Sequence, residues 1–183
     1  LNVLGKRKSK IHDLETLVAF VELHDQILIK RINNKNHIVK FSGHFSNKVP
    51  KVNTISNLLN ILDKKKKLKN HKYSILIKKN IPQKAGLGGG SMNAASLINY
   101  FEKKNKINLT LKERYDLCSK IGSDVILGID QKNLIISYKK KTMKIKKNLK
   151  MFTLMVKPNF GCSTKSIFKR VRHYSKPQLS KIR

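Results

Sequence analysis

The residues with the plainest chemical capacity lie at 81–97, "IPQKAGLGGGSMNAASL". Gly86, Gly88, Gly89 and Gly90 fall within five positions, interrupted only by Leu87, and Ser91 follows. Glycine lets backbone N–H groups converge without side-chain obstruction. Behind the loop, Ala94, Leu97, Ile98 and Phe101 recur at helical spacing, which predicts a helix over 91–104. A helix start leaves its first N–H groups unpartnered and carries partial positive charge. A bare backbone aimed at a helix start makes an anion cradle, and the common biological anion is a phosphate. The structural alternative is a hinge or a tightly packed turn.

Two familiar phosphate loops do not fit. A Walker A loop needs Lys between the last glycine and Ser, and here Ser91 follows Gly90 directly. The dinucleotide fingerprint would need glycine at position 91, and "IPQKAG" is a long approach for that tight turn.

The loop must be held by flanking elements. "YSILIKK" at 73–79 predicts a strand feeding into it. Residues 14–32 predict one or two strands, the clearest being "QILIKRI", and "HIVKF" at 37–41 a short strand that could pair with it. "SGHFSNKVP" is a loop. Ile55, Leu58, Leu59 and Leu62 predict a helix over 53–62, with "DKKKKLKNH" as its solvated end. Thr110 and Glu113 form a capping box for a helix running to about Ile121, with Gly122 as its stop. "SDVILGI", "NLIISY" and "MFTLMVK" read as extended segments. "CSTKSIFKRVR" could open a helix with Ser163 or Thr164 as cap, while "SKPQLSKIR" holds little that could pack. The order is α+β, with one domain over 1–148 and a second group of elements over 149–183.

The balance of 41 Lys and Arg against 10 Asp and Glu gives a net charge of +31. That suggests an anionic partner. Yet only six of the basic residues are Arg, the better bidentate reader of phosphates and bases. The lysines are scattered through every segment beside much Asn and Ile, and all three have AT-rich codons. Aromatics make up 7% of the chain, Trp is absent, and no basic run alternates with aromatic platforms. No specific nucleic-acid partner is therefore expected. No run of about 18 apolar residues occurs, so no membrane span is expected. "LNVLGKRKSK" lacks the apolar core of a signal peptide. Cys118 and Cys162 have no CxxC spacing, so zinc is unsupported, and both are expected to be reduced thiols in a cytoplasmic protein.

"PQKAGLGGGSMNAA" resembles the ATP-binding signature of the galactokinase–homoserine kinase–mevalonate kinase–phosphomevalonate kinase (GHMP) superfamily. The triple glycine with S-x-N-A-A is most similar to the branch acting on a diphosphocytidyl-methylerythritol. "LNVLGKR" with "HDLETL", "IGSDV" and "VKPNFGCSTKSIF" resemble other segments of that branch in order, and the resemblance spans residues 1–172.

The resemblance implies an N-terminal domain like domain 2 of ribosomal protein S5, followed by the beginning of a ferredoxin-like C-terminal domain. It implies ATP and Mg²⁺ as cosubstrate and cofactor, and a small cytidine diphosphate derivative as substrate. ATP would be held by Gly86, Leu87, Gly88, Gly89, Gly90 and Ser91, with Asn53 and Lys79 near the adenine. Asn53 could instead cap the helix behind it, and Lys79 could be a solvated strand-end lysine. Asp124 matches the family's catalytic carboxylate, which accepts or orients the proton of the substrate hydroxyl; its position alone favours a cap of the next turn. His12 matches the histidine that helps hold the cytosine. Ile11 stands where the family usually has Tyr, and Phe168 could offer an aromatic face from the other side. No protein ligand for the metal is assigned beyond the Ser91 hydroxyl.

The chain departs from the pattern at three further places. The family's catalytic Lys lies in a K-x-N-L stretch ahead of the position matching Leu1. Ile126 replaces a Pro, and "YKKKT" replaces a G-x-G-E turn. An isolated chain of these residues is accordingly expected to be inactive. The competing readings are a mevalonate or homoserine kinase type and a basic S5-like RNA-binding protein.

Overall fold

The computed structural model describes residues 1–6, 12–47, 49–104, 106–137, 142–145 and 152–179. The chain is α+β and forms two compact units, Leu23–Asp130 and Leu1–Glu22 with Gln131–Arg183.

Within Leu23–Asp130, three strands form one sheet: β3 (Gln26–Ile32), β4 (Ile38–Ser42) and β5 (Lys72–Lys78). The order is β3-β5-β4, with β3 antiparallel and β4 parallel to β5. The expected pairing of "HIVKF" with "QILIKRI" is thus corrected, because β5 lies between them. The most deeply buried strand takes the centre: Tyr73, Ile75 and Ile77 are buried on one face, in strict alternation. A parallel β4–β5 pair needs a crossover, and α1 (Thr54–Lys64) supplies it.

Helix α1 starts as its sequence directs. Asn53 Oδ1 accepts from the N–H groups of Ile55 and Ser56, and Ser56 Oγ accepts from the Asn53 N–H. Ile55, Leu58, Leu59 and Leu62 are buried against β5, α2 (Gly89–Lys103) and α3 (Leu111–Ile121). Each such burial contributes roughly 1.5–3 kcal/mol. The lysine-rich segment after α1 is not wholly solvated, because Leu68 turns into the same core. Helix α3 has the expected Thr110–Glu113 capping box. Gly122 ends it with an extended φ of 174°, not the left-handed turn a stop glycine usually makes.

Residues 123–129 are not extended. Val125, Gly128 and Ile129 N–H groups donate to Gly122, Val125 and Ile126 carbonyls, and the short helix α4 (Leu127–Asp130) results. The apolar run serves a turn that docks on α2: a methyl group on Gly128 would lie 2.7 Å from Ala95 Cβ.

In the other unit the sheet order is β1-β2-β6-β7, from β1 (Asn2–Lys6), β2 (His12–Val18), β6 (Leu134–Ile136) and β7 (Thr142–Lys144). "NLIISY" therefore supplies a strand as expected. Residues 152–157 of "MFTLMVK" do not: they carry no regular structure, and Phe152, Leu154 and Val156 are exposed. Helix α5 (Thr164–Lys169) begins with Ser163 as cap, its Oγ accepting from the Ser166 N–H. Part of the polar tail is tied down, since Ser175 N–H donates to the Val3 carbonyl and Gln178 N–H to Glu15 Oε2. Of "YKKKT", residues 138–141 lie outside the described residues.

Burial separates the two thiols. It pushes the Cys118 thiol up to about 11, whereas Cys162 is exposed. At pH 8 a thiol reagent is expected to label one cysteine of the folded chain, Cys162, and two after denaturation. Rapid labelling of both in the folded chain, read by mass spectrometry, would contradict this packing.

Candidate functional site

The glycine loop leaves the end of β5 and runs into α2. Gly86 and Gly88 have φ of 73° and 66°, left-handed values that favour glycine. Gly88 is the N-cap of α2 and offers no side-chain cap, so the first N–H groups of the helix lack a side-chain partner there. A methyl group at Gly86 or Gly88 would meet nothing within 4 Å. Gly89 differs: its methyl would lie 3.0 Å from Ile81, so its glycine serves packing. Gly90 approaches α1, and Thr54 Oγ1 donates to its carbonyl at 2.9 Å. Leu87 is 40% exposed at the loop tip. The result is an open, uncapped, positively polarised helix start, suited to an anion.

Ser91, in the first turn of α2, faces the end of α3. A methyl group on Gly122 would lie 3.6 Å from Ser91 Oγ. Two residues further on, Asp124 stands exposed, its Oδ1 accepting from the Ser123 hydroxyl at 2.9 Å. The glycine loop and the Asp124 turn therefore lie side by side along the first turns of α2. Ile126 is half-buried against the core behind that turn.

Asn53 is fully engaged as a cap. Besides the two N–H groups its Oδ1 accepts, its Nδ2 donates to the Pro50 and Lys51 carbonyls. Lys79 is not a solvated strand-end residue. It is buried, and its ammonium forms a short ion pair with Asp25. His12 and Phe168, in the other unit, stack on each other with ring centroids 5.0 Å apart and planes at 25°. A base inserted between them would need about 7 Å, two van der Waals spacings, so the two rings do not clasp a third. Ile11 lies outside the described residues.

Several positioning residues escaped the sequence reading. Asp25 carries no local signal, for its partners lie 54–68 residues away. Asn93 sits inside the quoted signature, yet nothing in its spacing marks it as a buried donor to Asp25. Gln83 Nε2 donates to the Phe45 and Asn47 carbonyls and fastens the loop to the β4–α1 connection. Burial raises the Asp25 pKa, but hydrogen bonds from Lys79, Ile81, Asn93 and Asn80 outweigh it and hold the carboxyl below its ordinary value. Among the described residues no group of three or more His, Cys, Asp or Glu could hold a metal ion, and no helix is long and apolar enough to cross a membrane.

Residues 53–137 match the family model described as the GHMP kinases N-terminal domain. A 4-diphosphocytidyl-2-C-methyl-D-erythritol kinase of Pelagibacter ubique is 50% identical over 98% of this chain, which covers 64% of that relative. A putative kinase of the same name from Streptococcus mutans is 32% identical over 93% of the chain, which covers 60% of it. The chain thus spans somewhat less than two thirds of the length of these relatives. Among solved structures, a 4-(cytidine 5'-diphospho)-2C-methyl-D-erythritol kinase aligns with a TM-score of 0.59 and 22% identity, over 79% of this chain and 50% of that one. Homoserine kinase from Cytophaga hutchinsonii aligns with a TM-score of 0.52 and 14% identity, over 66% of this chain and 42% of that one. The glycine loop, the helix behind it and the Asp124 turn all fall inside residues 53–137, the stretch that matches the GHMP kinases N-terminal domain.

Proposed function

We propose that this chain carries the ATP-binding part of a small-molecule kinase that transfers the ATP γ-phosphoryl group to the 2-hydroxyl of 4-diphosphocytidyl-2-C-methyl-D-erythritol. Residues 149–183 then begin a second, ferredoxin-like domain. The observation that carries the reading is the open glycine loop at the uncapped start of α2, with Asp124 on the adjoining turn.

Phosphoryl transfer asks the protein mainly for positioning and charge stabilisation. The backbone N–H groups of Gly86 to Ser91 would hold the triphosphate, with Leu87 flanking it. Asp124 would accept or orient the hydroxyl proton as that oxygen approaches phosphorus. Magnesium would neutralise charge on the phosphate oxygens, and the Ser91 hydroxyl is the loop's one side-chain oxygen near them. Asn53 and Lys79 would lie near the adenine, their polar atoms engaged in the α1 cap and the Asp25 ion pair. His12, backed by Phe168, would present one stacked face to the cytosine. The high positive charge favours encounter with two polyphosphates.

Label transfer from γ-labelled ATP by the intact gene product tests this. The diphosphocytidyl substrate should outpace mevalonate and homoserine by at least about 10²-fold, the discrimination expected when a site's hydrogen-bonding groups go unmatched. Preferential phosphorylation of mevalonate or homoserine would overturn the substrate assignment. The names of the relatives favour the diphosphocytidyl substrate over both.

A further inference from the structure

The Asp25 side chain is fully buried and accepts four hydrogen bonds. Its Oδ1 takes the backbone N–H groups of Asn80 at 2.7 Å and Ile81 at 2.9 Å, the two residues that open the glycine loop. Its Oδ2 takes the Lys79 ammonium and, at 2.8 Å, the Asn93 amide on α2. One carboxylate therefore grips the chain before the loop and the helix after it. Between these anchors the backbone makes two left-handed turns at glycine, without a side-chain cap. Such a stretch has little to fix its shape by itself, and glycine has the most conformational freedom to lose. Ile81, positioned through its own N–H, is also the side chain on which Gly89 rests.

We propose that Asp25 is a positioning residue for the phosphate cradle: it sets the loop by holding the Asn80 and Ile81 amides and Asn93 at once. It touches no substrate. This rests on reading the glycine loop as a triphosphate site. A purely structural ion pair with Lys79 would instead matter only for stability.

The two roles separate in a Lys79→Met background, which removes the buried ammonium and the penalty of leaving it unpaired. There, Asp25→Asn keeps a side-chain oxygen for the two loop amides, and Asp25→Leu removes it. Amide hydrogen exchange on the full chain needs no nucleotide. The Asn80 and Ile81 amides should exchange at least tenfold faster in the Leu variant than in the Asn variant, with Ile75 and Ile77 unchanged. In the same pair, ATP should bind at least tenfold more weakly to the Leu variant, measured by calorimetry. Equal exchange at residues 80 and 81, or equal ATP affinity in two folded variants, overturns the proposal. Should the Leu variant fail to fold, lost protection at those two amides in a folded Asn variant also overturns it. If the unaltered chain binds no ATP while the exchange contrast holds, the phosphate reading fails and the clamp stands as a loop-ordering device alone.

Discussion

Asp124→Asn in the intact gene product is expected to lower turnover by about 10²–10⁴-fold, the usual contribution of a positioned proton acceptor. Nucleotide affinity should stay within about twofold. The substitution is nearly isosteric, and the Ser123 hydroxyl that now donates to Oδ1 can donate to an amide oxygen equally well. The side chain is exposed and takes no part in the hydrophobic core, so folding should be unaffected. On the proposed function, what would be lost is the negative charge that draws the hydroxyl proton as phosphorus is attacked. A fall in kcat and kcat/KM by the same factor would mark an interaction made only in the transition state. Near-normal turnover would remove Asp124 from the reaction and leave it a turn residue.

Gly88→Val should weaken ATP binding by about 10²-fold. Valine in the left-handed region carries roughly 1–2 kcal/mol of strain, so the loop is expected to relax away from φ 66°. Its branches would also fill the open space in front of the α2 start. Losing two hydrogen bonds to a charged phosphate, at about 1.5 kcal/mol each, gives about 3 kcal/mol, which is that factor. Gly89→Val is the less informative variant, because its side chain would strike Ile81 and disturb packing first. Calorimetric titration of ATP against Gly88→Val, with a thermal melt alongside, decides the matter. Unchanged affinity in a folded variant would discredit the cradle.

Short-range features were the legible ones. The loop, the Asn53 and Thr110 caps and the apolar stripe of α2 are each written within about a dozen residues, where periodicity and capping chemistry act directly. The order β3-β5-β4 was not legible, because which strand takes the centre is decided by helices packing over it, far off in sequence. The run "SDVILGI" misled for a related reason. A short apolar stretch suits a strand or a helical turn equally, and the close approach of Gly128 to Ala95 chooses the turn. Asp25 is the sharpest case: it stands one position ahead of a strand, and its role exists only once β3, β5 and α2 are assembled.

That close approach of Gly128 to Ala95 has a mechanical outcome. Helix α2 is a common chassis, with the open glycine loop at its head and the Asp124 turn bolted to its flank through α4; on the proposed function these are the donor and acceptor sides. Any movement of that helix would carry both sides together. The spacing between the two sides would then be set by one glycine-to-alanine seam.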